Sequence, residues 1–118
     1  MQSWIKILTL CLLLISLLNS PGIAQDPENQ AMIKKLQQQI KNKPSQLSLY
    51  QELGKYYLWE SQEKEALNCF RAYIKGGGKE AQVFKQAGQI CLWNNLEPEG
   101  LKYLETYLEF IQYADQEN

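Results

Sequence analysis

From residue 32 onward, apolar positions return every three or four places, in five separate stripes. Met32, Ile33, Leu36 and Ile40 form the first, and Leu47, Tyr50, Leu53, Gly54, Tyr57 and Leu58 the second. Ala66, Leu67, Phe70, Tyr73 and Ile74 form the third, and Phe84, Ala87, Gly88, Cys91 and Leu92 the fourth. The fifth is Leu101, Leu104, Tyr107, Leu108 and Ile111. This spacing describes one face of a helix. No segment alternates with period two, so the fold class is all-α. Polar residues separate the stripes. Asp26, Pro27 and Glu28 make a helix start. Pro44 ends the first helix because it cannot continue it. Ser45 and Ser61 are the expected N-caps of the next two. Gly76, Gly77 and Gly78 stop the third, Asn94 and Asn95 mark a turn, and Pro98 suits a first helical turn. Helices are predicted over about 28–42, 45–60, 62–75, 80–93 and 97–113.

The stripes repeat as a set. LWESQEKEAL at residues 58–67 returns as LWNNLEPEGL at 92–101, an offset of 34. At that offset Gly54 falls on Gly88, Leu58 on Leu92, Trp59 on Trp93, Glu63 on Glu97, Leu67 on Leu101 and Tyr73 on Tyr107. Such a period, built from two helices, is a helix-turn-helix repeat whose units bury their apolar faces by stacking. The chain resembles the tetratricopeptide repeat family. Tyr50, Leu53, Gly54, Tyr57, Ala66 and Phe70 occupy the six motif places in the first repeat, and Phe84, Ala87, Gly88, Cys91, Gly100 and Leu104 those in the second. Pro44 stands where the proline closing a preceding repeat belongs. Cys91 and Leu104 depart from the usual Tyr and Phe, and Gly78 stands where a closing proline would be. The resemblance implies a right-handed α-solenoid of antiparallel helix pairs. It divides the chain into a half-repeat at 25–46, repeats at 47–80 and 81–114, and a tail at 115–118. The tryptophans ending each first helix are similar to those of some exported bacterial repeats of this family.

The first residues do not fit the repeat. Lys6 precedes an apolar run at 7–18, and Gly22, Ile23 and Ala24 supply small residues at an exit. A basic start, a short apolar core and a small-residue exit describe a signal peptide over 1–24, cleaved after Ala24. The run is shorter than the ~20 residues of a membrane span. The expected location is therefore periplasmic or secreted. The processed chain has 11 basic against 13 acidic residues. That balance offers no basic excess to attract nucleic acid. Cys69 and Cys91 remain in it. An oxidising compartment permits a bridge, but two free, mostly buried thiols are expected of cysteines in a helical core.

Little of the chain suggests catalysis. It contains no histidine, which removes the commonest general base and metal ligand. The three glycines at 76–78 follow no strand, so they read as a helix stop rather than a phosphate loop. Glu60, Glu63 and Glu65 surround a helix start, where carboxylates favour the helix dipole. We therefore expect no enzyme, no metal, no cofactor and no small-molecule substrate. Binding a protein or peptide is the remaining function. The resemblance places Gln51, Lys55, Leu58 and Trp59, then Lys85, Gln89, Leu92 and Trp93, along a concave groove lined by the first helices. Such a surface suits an extended peptide or a helix. Trp59 and Trp93 admit a second role, covering the turn between their helices. The last helix carries more apolar surface than one packed face needs, and an uncovered patch marks an interface. Tyr103, Phe110, Ile111 and Tyr113 are expected at that end, where copies of the chain can self-associate. A structural subunit working by such contacts, or by docking into an envelope assembly, is the alternative to an adaptor.

Overall fold

A computed structural model of the chain describes residues 2–18 and 26–117. The expected cleavage site after Ala24 lies outside them. Six helices make up the described residues, with no strand: α1 (Gln2–Leu18), α2 (Pro27–Asn42), α3 (Leu47–Trp59), α4 (Glu63–Lys75), α5 (Ala81–Trp93) and α6 (Glu97–Gln116). In α1 every described side chain, residues 3–12, is exposed. No described helix is long and apolar enough to cross a membrane.

The remaining helices pack in chain order: α2 on α3, α3 with α4, α4 on α5, and α5 with α6. This nearest-neighbour pattern is that of a helical repeat stack. The core at its centre contains Ala66, Phe70, Ala87 and Cys91, all fully buried, together with Leu67, Tyr73, Val83 and Ile90. A second cluster joins α2 to α3 through Ile33, Leu36, Leu49, Leu53 and Cys69. Both Cys69 and Cys91 are free and buried. Burial pushes the Cys69 thiol up to about 12, with the Glu65 carboxylate adding to it, and burial likewise raises Cys91. Neither is a thiolate at neutral pH, so neither is a reactive nucleophile.

Asp26 caps α2 as its sequence suggests, its carboxylate accepting from the Glu28 N–H at 2.9 Å. Ser45 and Ser61 do not act as caps. The residues before α3 and α4 are Gln46 and Gln62, and neither side chain caps its helix. Ser61 instead takes φ 58°, Asn95 takes φ 61°, and Gly77 takes φ 95°. Each closes the preceding helix with the same hydrogen bonds. Gln62 N–H donates to Tyr57 O at 2.8 Å, Leu96 N–H to Cys91 O at 2.8 Å, and Gly78 N–H to Tyr73 O at 3.0 Å. These are Schellman closures, which satisfy orphan carbonyls through one left-handed residue. The first two are separated by one full repeat period, so the sequence repeat is also a repeat of turn geometry.

Glu60 ends α3, where the helix predicted over 45–60 stops, but its carboxylate addresses the start of α2 rather than that of α4, and it is buried, 4% exposed. Its oxygens accept from Asp26 N–H at 3.1 Å, Asn29 Nδ2 at 2.8 Å and Gln30 Nε2 at 3.3 Å. The charge therefore sits at the N-terminus of α2, where the helix dipole favours it. This contact fixes the half-repeat to the first full repeat.

Candidate functional site: the concave groove

The positions expected to line a groove lie on α3 and α5, the first helix of each pair. In α3, Leu49, Leu53 and Gly54 are buried, which turns another face outward. Ser48, Gln51, Glu52, Lys55, Tyr56 and Trp59 recur there at three- and four-residue steps and so share it. They line a pocket of about 370 Å³. Trp59 is 63% exposed. Its ring meets Tyr56 edge to face, with centroids 4.9 Å apart and planes at 81°, a geometry that fixes an exposed indole. Leu58 is half-buried against the main core. Gln51, Lys55 and Trp59 are thus brought together, with Glu52 adding a carboxylate that periodicity alone did not nominate.

The second repeat is arranged differently. Lys85 and Gln89 are half-buried. The Lys85 ammonium lies 5.7 Å from the centre of the Tyr107 ring, within reach of a cation–π contact. Its charge is turned toward α6 rather than left free beside Lys55. Leu92 is at the margin of exposure, and Trp93 is exposed at 68%. Neither tryptophan is part of the core. Gln86, the counterpart of Glu52 in the second repeat, was not singled out from sequence. Its Oε1 is buried and has no hydrogen-bond partner among the described residues. Nothing in the helical period distinguishes it from a solvated glutamine.

A larger recess, about 630 Å³, lies where α2, α3 and α4 meet. Leu53 and Cys69 line its buried part, and Lys34 and Lys41 are its charged residues. Among the described residues no group of three or more His, Cys, Asp or Glu is placed to hold a metal ion.

The expected end face is only partly exposed. Tyr103 is half-buried, its ring 6.4 Å from that of Phe84 and its hydroxyl donating to Glu99 Oε1 at 2.8 Å. Phe110 also meets Phe84, at 5.2 Å. Ile111 is half-buried and Tyr113 exposed. Tyr103 and Phe110 therefore pack on α5 instead of facing away from the stack. The exposed apolar residues of α6 include Leu101 and Leu108, which the sequence pattern placed on its inward stripe.

Glu99 also receives Arg71 of α4. Arg71 Nε and Nη2 donate to its two oxygens at 2.6 and 2.7 Å. The guanidinium holds the Glu99 carboxyl below its ordinary range, despite partial burial. The Glu99 contribution is therefore present above the unfolded pKa and is lost as pH falls through the lower folded value. Both side chains are about one-third exposed, so the pair is worth no more than about 1 kcal/mol. Glu99→Gln should lower the melting temperature at neutral pH by a few degrees, roughly 4–8 °C per kcal/mol. The difference from wild type should shrink in acid. Melting curves at neutral and strongly acidic pH check this; a constant difference would contradict it.

No protein-family profile matches the chain, and no curated protein matches it. Solved structures do. Two, both described as crystal structures of MamA, superpose with TM-scores of 0.67 and 0.61 at 22% and 24% identity. They cover 76% and 70% of this chain, and 53% and 45% of the solved chains. The chain thus spans about half the length of the structures it matches, and what it shares with them is the helical-repeat fold.

Proposed function

We propose that this chain, built on the fold it shares with MamA, is an exported scaffold that holds a peptide or helix of a partner protein against α3. One observation carries the reading. Trp59 stands exposed and oriented beside Lys55 and Gln51, in a pocket of about 370 Å³ on a first helix. An indole gives such a site a large rigid contact, Gln51 bonds a peptide backbone, and Lys55 attracts an acidic group. Trp93, exposed, and the half-buried Gln89 continue the surface on α5. Export is supported by the basic residue and apolar run of the first segment and by α1, whose described side chains bury nothing.

The test is capture from envelope extract by the tagged chain, with Trp59→Ala/Lys55→Glu beside wild type. The double variant should lose the captured protein while its circular dichroism is unchanged, since both residues are exposed. Equal capture would move the site elsewhere. Export is checked by mass spectrometry of the natural protein, which should begin at Gln25; an intact Met1 in the cytoplasm would refute it. The exposed Leu101 and Leu108 on α6 favour a second reading, a structural subunit that docks into an assembly. The two readings use different surfaces.

A further inference from the structure

The second helices α2, α4 and α6 occupy equivalent places in the repeat. At the repeat offset Ile33 falls on Leu67 and Leu101, and Ile40 on Ile74 and Leu108. Ile33 belongs to the cluster joining α2 to α3, and Leu67 to the core joining α4 to α5. Both are buried, Leu67 at 4% exposure. Leu101 is 52% exposed and Leu108 55%. The same face is covered twice by a first helix and is open the third time among the described residues.

Its charges say what fits there. The α6 segment carries five carboxylates and one lysine, Lys102. Glu105 lies between Leu101 and Leu108 on their stripe. It holds the place in α6 that Arg71 holds in α4, and Arg71 reaches the following second helix by bonding Glu99. Glu97 likewise holds the place of Glu63, whose Oε2 accepts from Asn94 at 3.5 Å, also in the following pair. Both places address an incoming element, and both hold exposed carboxylates here. Two copies joined symmetrically through this face would set these carboxylates against their own images.

We propose that the open face of α6 docks a basic amphipathic helix of a partner protein. The helix takes the seat that α3 has on α2 and α5 has on α4. Its apolar residues follow the i, i+4, i+7 pattern of Val83, Ala87 and Ile90, and its lysines or arginines reach Glu97 and Glu105. This surface is separate from the concave groove, and its test does not depend on the groove's partner.

Two labelled synthetic helical peptides of roughly 20 residues share that apolar pattern; one carries lysines beside it, the other glutamates. Binding to the full chain is read by fluorescence anisotropy at low and high salt. The lysine peptide should bind roughly tenfold or more tightly than the glutamate peptide and weaken with salt. Leu101→Gln/Leu108→Gln keeps the charge and should abolish binding. Glu97→Gln/Glu105→Gln should erase the preference for lysine. Equal affinity of the two peptides, or lysine-peptide binding that survives the leucine substitutions, overturns the proposal. So does a dimer of the wild-type chain, seen by light scattering, that the leucine substitutions dissolve; the face would then belong to a second copy.

Discussion

Phe70→Ala should destabilise the fold by about 3–5 kcal/mol. Phe70 is fully buried at the centre of the main core. It also fills the space that a side chain on Gly54 would take, since a Cβ there would meet Phe70 Cδ1 at 2.9 Å. Its loss removes both a large apolar contact and the element that sets the α3–α4 spacing. For a domain of this size the melting temperature should drop by at least about 12 °C. Urea denaturation followed by circular dichroism measures it. A cost below about 1 kcal/mol would mean that the ring does not hold the pair together. The same geometry predicts non-additivity. Gly54→Leu alone should cost about 1–3 kcal/mol by overpacking. Combined with Phe70→Ala, the total should fall short of the sum, because the new leucine occupies space that the ring vacated.

A second large effect is expected at the α5–α6 contact. A Cβ on Gly100 would meet Cys91 Cβ at 3.0 Å and Gly88 O at 3.1 Å, and a Cβ on Gly88 would meet Gly100 O at 3.1 Å. The two helices approach backbone to backbone. A carbonyl oxygen cannot rotate away as a side chain can, so the strain must move a whole helix. Gly100→Leu should therefore reach the upper end of overpacking costs, about 3 kcal/mol, and Gly100→Ala should cost less. Hydrogen exchange should show the loss concentrated in α5 and α6. Uniform loss of protection across α2–α4 would show that the second repeat has no separate stability to lose. A neutral Gly100→Leu would refute the close approach.

The helical stripes and the repeat offset made most of the fold legible. They located α2 to α6 and set Gly54 and Gly88 at the same place in the two repeats, where the structure shows the paired helices in close approach. They could not divide a stripe. On α4, Phe70 packs against Gly54 of the same pair, while Leu67 and Ile74 share a core with Val83, Ala87 and Ile90 of the next pair. Sequence periodicity merges these into one face, because one stripe on a helix spans both neighbours. That is why Leu101 and Leu108 read as inward, and why Tyr103 and Phe110 were placed at the end of the stack. The cap expected at Ser61 failed for a different reason. The chain reverses through Ser61 in the left-handed region, a conformation that serine does not signal. That Gln51, Lys55 and Trp59 share one face of α3 was legible from their spacing on one helix. The turning of Lys85 to Tyr107 depends on where α6 lies, which spacing along α5 cannot show.

The junction hydrogen bonds also bear on how such a chain can grow. Asn29 donates to Glu60 at the first junction. At the second, the carboxylate has moved to Glu63, the place of Asn29, and the amide to Asn94, the place of Glu60. Tandem duplication of residues 47–80 would set a new Glu60 opposite the old Glu63, two carboxylates in a place built for one. Duplication of residues 81–114 would match Asn94 to Glu97 but set a new Glu99 opposite Glu105. The repeats therefore carry their order as a polar code. Lengthening this solenoid by gene duplication would require a charge change at the seam before the added unit could seat.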